Sequence, residues 1–193
     1  MSRTLLLRRP LAWLAMLALP ALLLLGGCAV ATVSSASPML GAGDRLAVLP
    51  FANLTDVPLA AQRAQAITVS LLRQQGLRQV LSYPQPETDL LSAAPAPSPR
   101  QALQWARRQG ARYALGGSVT EWRYKTGVDS EPAVGVVLEL RDVADGRVVW
   151  SASGARSGWG YQALAAVGQA QIQALLKGLR VAADAARPQH SAP

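Results

Sequence analysis

The residues able to do chemistry are few. One cysteine, Cys28, and one histidine, His190, are the whole complement of those two types in 193 residues. A zinc site needs several Cys, His or carboxylate ligands converging, and a serine nucleophile needs a histidine base beside it. His190 sits in the polar stretch ARPQHSAP at the C-terminus, so neither arrangement has its parts. Gly116-Gly117 falls inside an apolar run and reads as strand packing, not as a phosphate-cradling loop. Carboxylates remain. Asp129 and Glu131 share the segment YKTGVDSEPAVG, with Glu121 a few residues upstream. A glycosidase needs two carboxylates facing each other across about 5–10 Å of cleft, and two on one tight loop flank nothing. That loop is either a solvated turn or a display of negative charge. Trp159 lies between glycines in SGWGY, residues 157 to 161. Either it folds back over a sheet edge, as most tryptophans are buried, or it is an exposed aromatic for a membrane interface or a partner. The inventory points to a protein that is not an enzyme and holds no metal or cofactor.

Cys28 is the residue with a definite chemical expectation. Before it stand a basic start, MSRTLLLRRP, an apolar run, LAWLAMLALPALLLL, and the small-residue ending LGGC. This is the three-part secretory pattern, and the apolar run is short of the ~20 residues of a membrane span. Residues 1–27 therefore read as a cleaved signal peptide, with an uncleaved anchor helix as the competing reading. Cys28 becomes the lipidation site, a thioether-linked diacylglycerol with a further acyl chain on the new amino group. Two or more chains hold a membrane stably where one does not. Ala29 follows in place of an inner-membrane-retaining aspartate, which favours the outer membrane. Removal of Arg3, Arg8 and Arg9 with the leader leaves 16 basic against 11 acidic side chains, a balance of +5. These charges are scattered, without the basic runs and interleaved aromatics that suit nucleic acid.

The elements that must position these residues follow from periodicity. Residues 28–43 read as a lipid-anchored flexible tether, with a fully extended reach of about 50 Å. Residues 45–51 predict a strand and 53–58 a turn. Ala60, Ala64, Ile67, Leu71 and Leu72 predict a helix over 59–75, stopped by Gly76. Residues 78–82 predict a second strand. The stretch 83–99, with five prolines, predicts an irregular loop, and 100–109 a short helix stopped by Gly110. Strands follow over 112–126, 133–143 and 147–154, the last two joined at Asp145-Gly146. A final helix carries Leu164, Val167, Ile172, Leu175, Leu176 and Leu179. The order implies one α/β domain over 44–182, built on a mixed sheet of about five strands with an antiparallel C-terminal meander and helices packed on the sheet. Residues 183–193 read as a disordered tail.

RLAVLPFANLT, the helix after it, and GARYALGGSVTEW resemble a broad superfamily of envelope lipoproteins. That superfamily includes penicillin-binding-protein activators, the curli secretion lipoprotein and the N-terminal domain of TolB. More narrowly, residues 118–160, SVTEWRYKTGVDSEPAVGVVLELRDVADGRVVWSASGARSGWG, resemble the PelC family, outer-membrane lipoproteins of the Pel exopolysaccharide export system. The resemblance implies a twelve-subunit ring on the periplasmic face of the outer membrane beneath a PelB-like outer-membrane barrel. Such a ring guides cationic Pel polysaccharide through an acidic funnel and turns an aromatic belt to the lipid. Asp129 matches the funnel aspartate, Glu131 beside it is a candidate for the same role, and Trp159 matches the belt tryptophan. Two alternatives stand beside this one: an envelope lipoprotein that activates a cell-wall synthase by protein–protein contact, and a periplasmic carbohydrate-active enzyme, which the residue inventory disfavours.

Overall fold

The computed structural model describes residues 29–33, 38–84, 97–127 and 130–182. The leader 1–27, Cys28, Asp129 and the tail 183–193 lie outside the described residues. Among the described residues the chain forms β1 (Ala29–Val33), β2 (Arg45–Val48), β3 (Ala52–Asn53), α1 (Ala60–Gln74), β4 (Gln79–Ser82), α2 (Pro99–Arg108), β5 (Tyr113–Tyr124), β6 (Pro132–Asp142), β7 (Val148–Ser157) and α3 (Leu164–Leu176). All seven strands join one open sheet in the order β1-β7-β6-β5-β2-β4, with β3 also paired to β5. Pairing among β2, β3, β4 and β5 is parallel. The run β5-β6-β7-β1 is antiparallel. The expected mixed α/β sheet and C-terminal meander are therefore present, with two short strands more than expected.

Local chemistry explains most element ends. Helix α1 stops where Gly76 takes φ 97, and the N–H of Leu77 reaches back to Leu72 O, closing carbonyls the helix leaves open. Helix α2 starts on a capping box: Ser98 accepts from the Gln101 N–H, and Gln101 Oε1 accepts from the Ser98 N–H at 2.8 Å. Pro99 fills the first helical position, where no N–H is needed.

The sheet is covered unequally. On one face α1 and α3 bury Leu46, Val48, Leu115, Leu138, Leu140, Trp150 and Ile172 in the main core. On the other, α2 seats Ala102 and Ala106 against Ala47, Leu49, Ala114 and Val143. Strand β5 carries a bulge between Val119 and Glu121, so one extra residue shifts the alternation and both Val119 and Trp122 reach the main core. Gly135 stands opposite the bulge; a Cβ there would overlap Thr120 Oγ1. Trp122 in turn lies against Gly168 of α3, where a Cβ would overlap its Cη2.

The tether expectation needs correction. Ala29–Val33 pair antiparallel with Ala152–Arg156 of β7, and Leu40 is fully buried. The N–H of Leu40 donates to Arg180 O at 2.9 Å, and its carbonyl accepts from the Ala182 N–H at 2.8 Å. An edge strand needs only a partner's free backbone groups, not an alternating pattern of its own, and so the small residues AVATV join the sheet.

Candidate functional site

The end of the sheet where β5 leaves, β6 enters and β7 leaves carries Glu131 and Trp159, two of the residues singled out by sequence. Backbone bonds tie its two loops together. The N–H of Lys125 donates to Glu131 O at 2.7 Å, closing the β5–β6 loop, and the N–H of Gly158 donates to Pro132 O at 2.8 Å. Lys125 Nζ also reaches Ser157 Oγ at 2.7 Å. The loop that carries Glu131 and the SGWGY turn are thus one stitched unit.

Glu131 is half-buried, and its carboxylate makes no ion pair among the described residues. Ser130 before it takes φ 41, a left-handed turn position. Asp129 lies outside the described residues. Glu121 sits elsewhere, on a cleft with Asp56 and Arg123, and its charge is answered by Arg123 Nε at 3.2 Å.

Trp159 is 42% exposed. Its loop is built on Gln162: the Trp159 N–H donates to Gln162 Oε1 at 2.9 Å, and Trp159 O accepts from the Gln162 N–H at 2.8 Å. That closed turn holds the indole out, whereas Trp150 and Trp122 in the strands are buried. Two further aromatics stand at this end. Tyr161 is 84% exposed, and Tyr124 is exposed as well, while the Tyr124 hydroxyl accepts the first free N–H of α3, from Leu164, at 3.0 Å. Sequence reasoning passed over Tyr161, although the glycine-flanked SGWGY is signal enough for both rings.

It also missed Arg156. In β7 the core-facing positions run Trp150, Ala152, Gly154, Arg156, opposite Leu140, Leu138, Val136 and Val134. A charged residue in that register is the signal. Its Nε is buried without a hydrogen-bond partner among the described residues.

Cys28 lies outside the described residues, but Ala29, the next residue in the chain, pairs with Arg156. The chain beyond the expected lipidation site therefore enters the fold at the same end as Glu131 and Trp159. Among the described residues, no three His, Cys, Asp or Glu side chains group as a metal site requires, and no helix is long and apolar enough to cross a membrane.

Residues 34–155 match the family described as peptidoglycan-synthase activator LpoB. Among curated proteins, none matches. Among solved structures, the PelC dodecamer from Paraburkholderia phytofirmans is 41% identical, covering 80% of this chain and 100% of its own, at a TM-score of 0.69. The lipoprotein GNA1162 from Neisseria meningitidis is 18% identical, covering 69% of this chain and 96% of its own, at a TM-score of 0.51; it shares the fold.

Proposed function

The chain belongs to the PelC family, within the wider LpoB-like lipoprotein group, and from that premise we propose that it is a Pel-export lipoprotein of the outer membrane. In this reading Cys28 carries the lipid, and copies of the chain form a ring on the periplasmic face beneath a PelB-like barrel. Cationic Pel polysaccharide passes the carboxylates of Asp129 and Glu131, and Trp159 faces the lipid.

One observation carries the reading: the Glu131 loop, the exposed Trp159 and the first residue after Cys28 occupy one end of one sheet. An anchored ring needs that coincidence, since its lipids, its aromatic belt and its opening all lie near the bilayer. The similar PelC protein is itself a dodecamer. A single exposed carboxylate attracts an amine by at most about 1 kcal/mol. Repetition around a ring adds those potentials at a confined mouth, and many weak sites release a moving polymer that one tight site would hold. Of the positive residues, Lys125 and Arg156 share this end, while three others stand away from it. Arg45, Arg107 and Arg112 bind Gln109 O, Val143 O and Asp44 at the far end of β5.

The family match also raises the activator reading, in which the domain reaches a cell-wall synthase by contact. An activator working at a distance from its membrane needs a free linker, and here Ala29–Val33 are already in the sheet. The test is the mass of the full acylated chain in detergent, together with Pel secretion by cells carrying Asp129→Ala and Glu131→Ala. A large closed assembly with secretion lost in the double variant supports export. A monomer whose variants secrete normally, and whose removal instead impairs cell-wall synthesis, overturns it.

A further inference from the structure

Next to Trp159 lies a cleft of about 190 Å³. One wall is the first two turns of α3, through Ala166, Val167 and Ala170; the other is Arg156, Trp159 and Gln162. This is smaller than the ~300–1,000 Å³ of ordinary small-molecule pockets, so it suits one compact polar group with a short apolar extension.

Arg156 sets the chemistry. Among the described residues its buried Nε has no hydrogen-bond partner and its guanidinium forms no ion pair. Among those residues, no carboxylate lines the cleft. Buried donors are nearly always satisfied, so an orphaned one calls for an acceptor that the described protein groups do not supply, a water or a bound group. A guanidinium presents a planar fork of donors that matches the oxygens of a phosphate. Gln162 has its carbonyl oxygen engaged by Trp159 N–H, which leaves its amide NH₂ as a further donor. The alanine and valine wall accommodates carbon, not charge.

We propose that this cleft binds the phosphate ester of a phospholipid headgroup, with Arg156 on the phosphate oxygens and the glycerol carbons along Ala166 and Ala170. The proposal rests on the membrane-facing reading of this end of the domain and gives it a chemical specificity. The position fits. Ala29, which follows the lipid-bearing Cys28, pairs with Arg156, so the cleft lies where the chain's own anchor would meet the headgroup layer, with exposed Trp159 and Tyr161 beside it. Free phosphate shares the same chemistry, and the test separates the two sources.

The full acylated protein in non-ionic detergent is offered phosphatidylglycerol, a diacyl glycolipid without phosphate, or inorganic phosphate, and adducts are counted by native mass spectrometry. The expected result is about one phosphatidylglycerol per subunit, with the glycolipid and the Arg156→Gln variant each reduced about tenfold or more, as loss of a charge-assisted bidentate contact implies. Arg156→Lys keeps part of the binding. Thermal melting of Arg156→Gln, equal to or above that of the unmodified chain, shows that the fold is intact. Equal phosphatidylglycerol retention by Arg156→Gln, equal uptake of the glycolipid, or displacement of the lipid by inorganic phosphate overturns the proposal. Cell fractionation of the unmodified chain reads the outer-membrane assignment separately. A chain found elsewhere defeats that reading, whereas a chain in the outer membrane with an indifferent Arg156 defeats only this one.

Discussion

Replacing Gly168 by alanine sets two effects of known size against each other. Gly168 is in the second turn of α3, where alanine is preferred to glycine by about 1 kcal/mol. Against that, its new Cβ would overlap Trp122 Cη2 and lie 2.9 Å from Cζ3 and 3.1 Å from Cζ2, where carbon atoms prefer about 3.5–4.0 Å. Trp122 is 2% exposed and cannot swing into solvent, so ring and helix must move apart. Overpacking of this kind costs about 1–3 kcal/mol. The clash involves three atoms of a rigid ring, which puts the cost in the upper half of that range, and the net effect is a destabilisation of about 1–2 kcal/mol. For a domain of this size that lowers Tm by about 2–8 °C. Thermal melting of Gly168→Ala, Trp122→Phe and the double variant measures it as a cycle. Phenylalanine lacks all three clashing atoms. In the Trp122→Phe background the alanine should be neutral or stabilising, with a coupling of at least about 1 kcal/mol between the two sites. If Gly168→Ala raises Tm in the unmodified chain, or costs as much beside the smaller phenyl ring as beside the indole, the close seating of α3 on β5 is wrong.

Other outcomes follow from the site. Asp129→Ala should reduce Pel secretion while the mass of the assembly is unchanged; normal biofilm matrix would count against a funnel role. For Trp159→Ala, 42% exposure of a side chain of up to about 250 Å² leaves roughly 100 Å² for lipid, worth about 2.5 kcal/mol per subunit. Vesicle association should fall by one to two powers of ten while a cooperative melt persists, and loss of that melt would make the indole core. Ser98→Ala removes half of the α2 capping box and should cost about 1 kcal/mol by denaturant titration, with no effect on membrane placement.

What could be read from sequence was what local chemistry dictates. Val134, Val136, Leu138 and Leu140 alternate along the sequence and form the inner face of β6, and Gly76 and Gly110, both at positive φ, are the two expected helix stops. α2 begins at Pro99, one residue ahead of the expected 100, because Ser98 heads a capping box whose S-P-R-Q pattern is present in the sequence. β3 straddles the start of the predicted turn, and its two residues are too few to show a period. β1 was hidden for another reason: its pairing is a property of the exposed edge of β7, and nothing local in AVATV announces it. The site divides the same way. SGWGY singled out Trp159, but that its turn is bonded to the Glu131 loop depends on a β5–β6–β7 register that a linear reading cannot supply. Arg156 was legible in principle, as a charge at an inward position, once that register is drawn.

The pairing of β1 along β7 also has a mechanical consequence. In the proposed lipid-anchored form, five residues of ladder stand between the anchor and the rest of the domain. A tug on the anchor directed along the strand loads those bonds in shear, all together, whereas a sideways tug would unzip them one after another. Survival under force is set by the rate of opening. An anchor attached ahead of Ala29, as proposed, would therefore be held far better against longitudinal traction than against lateral peeling.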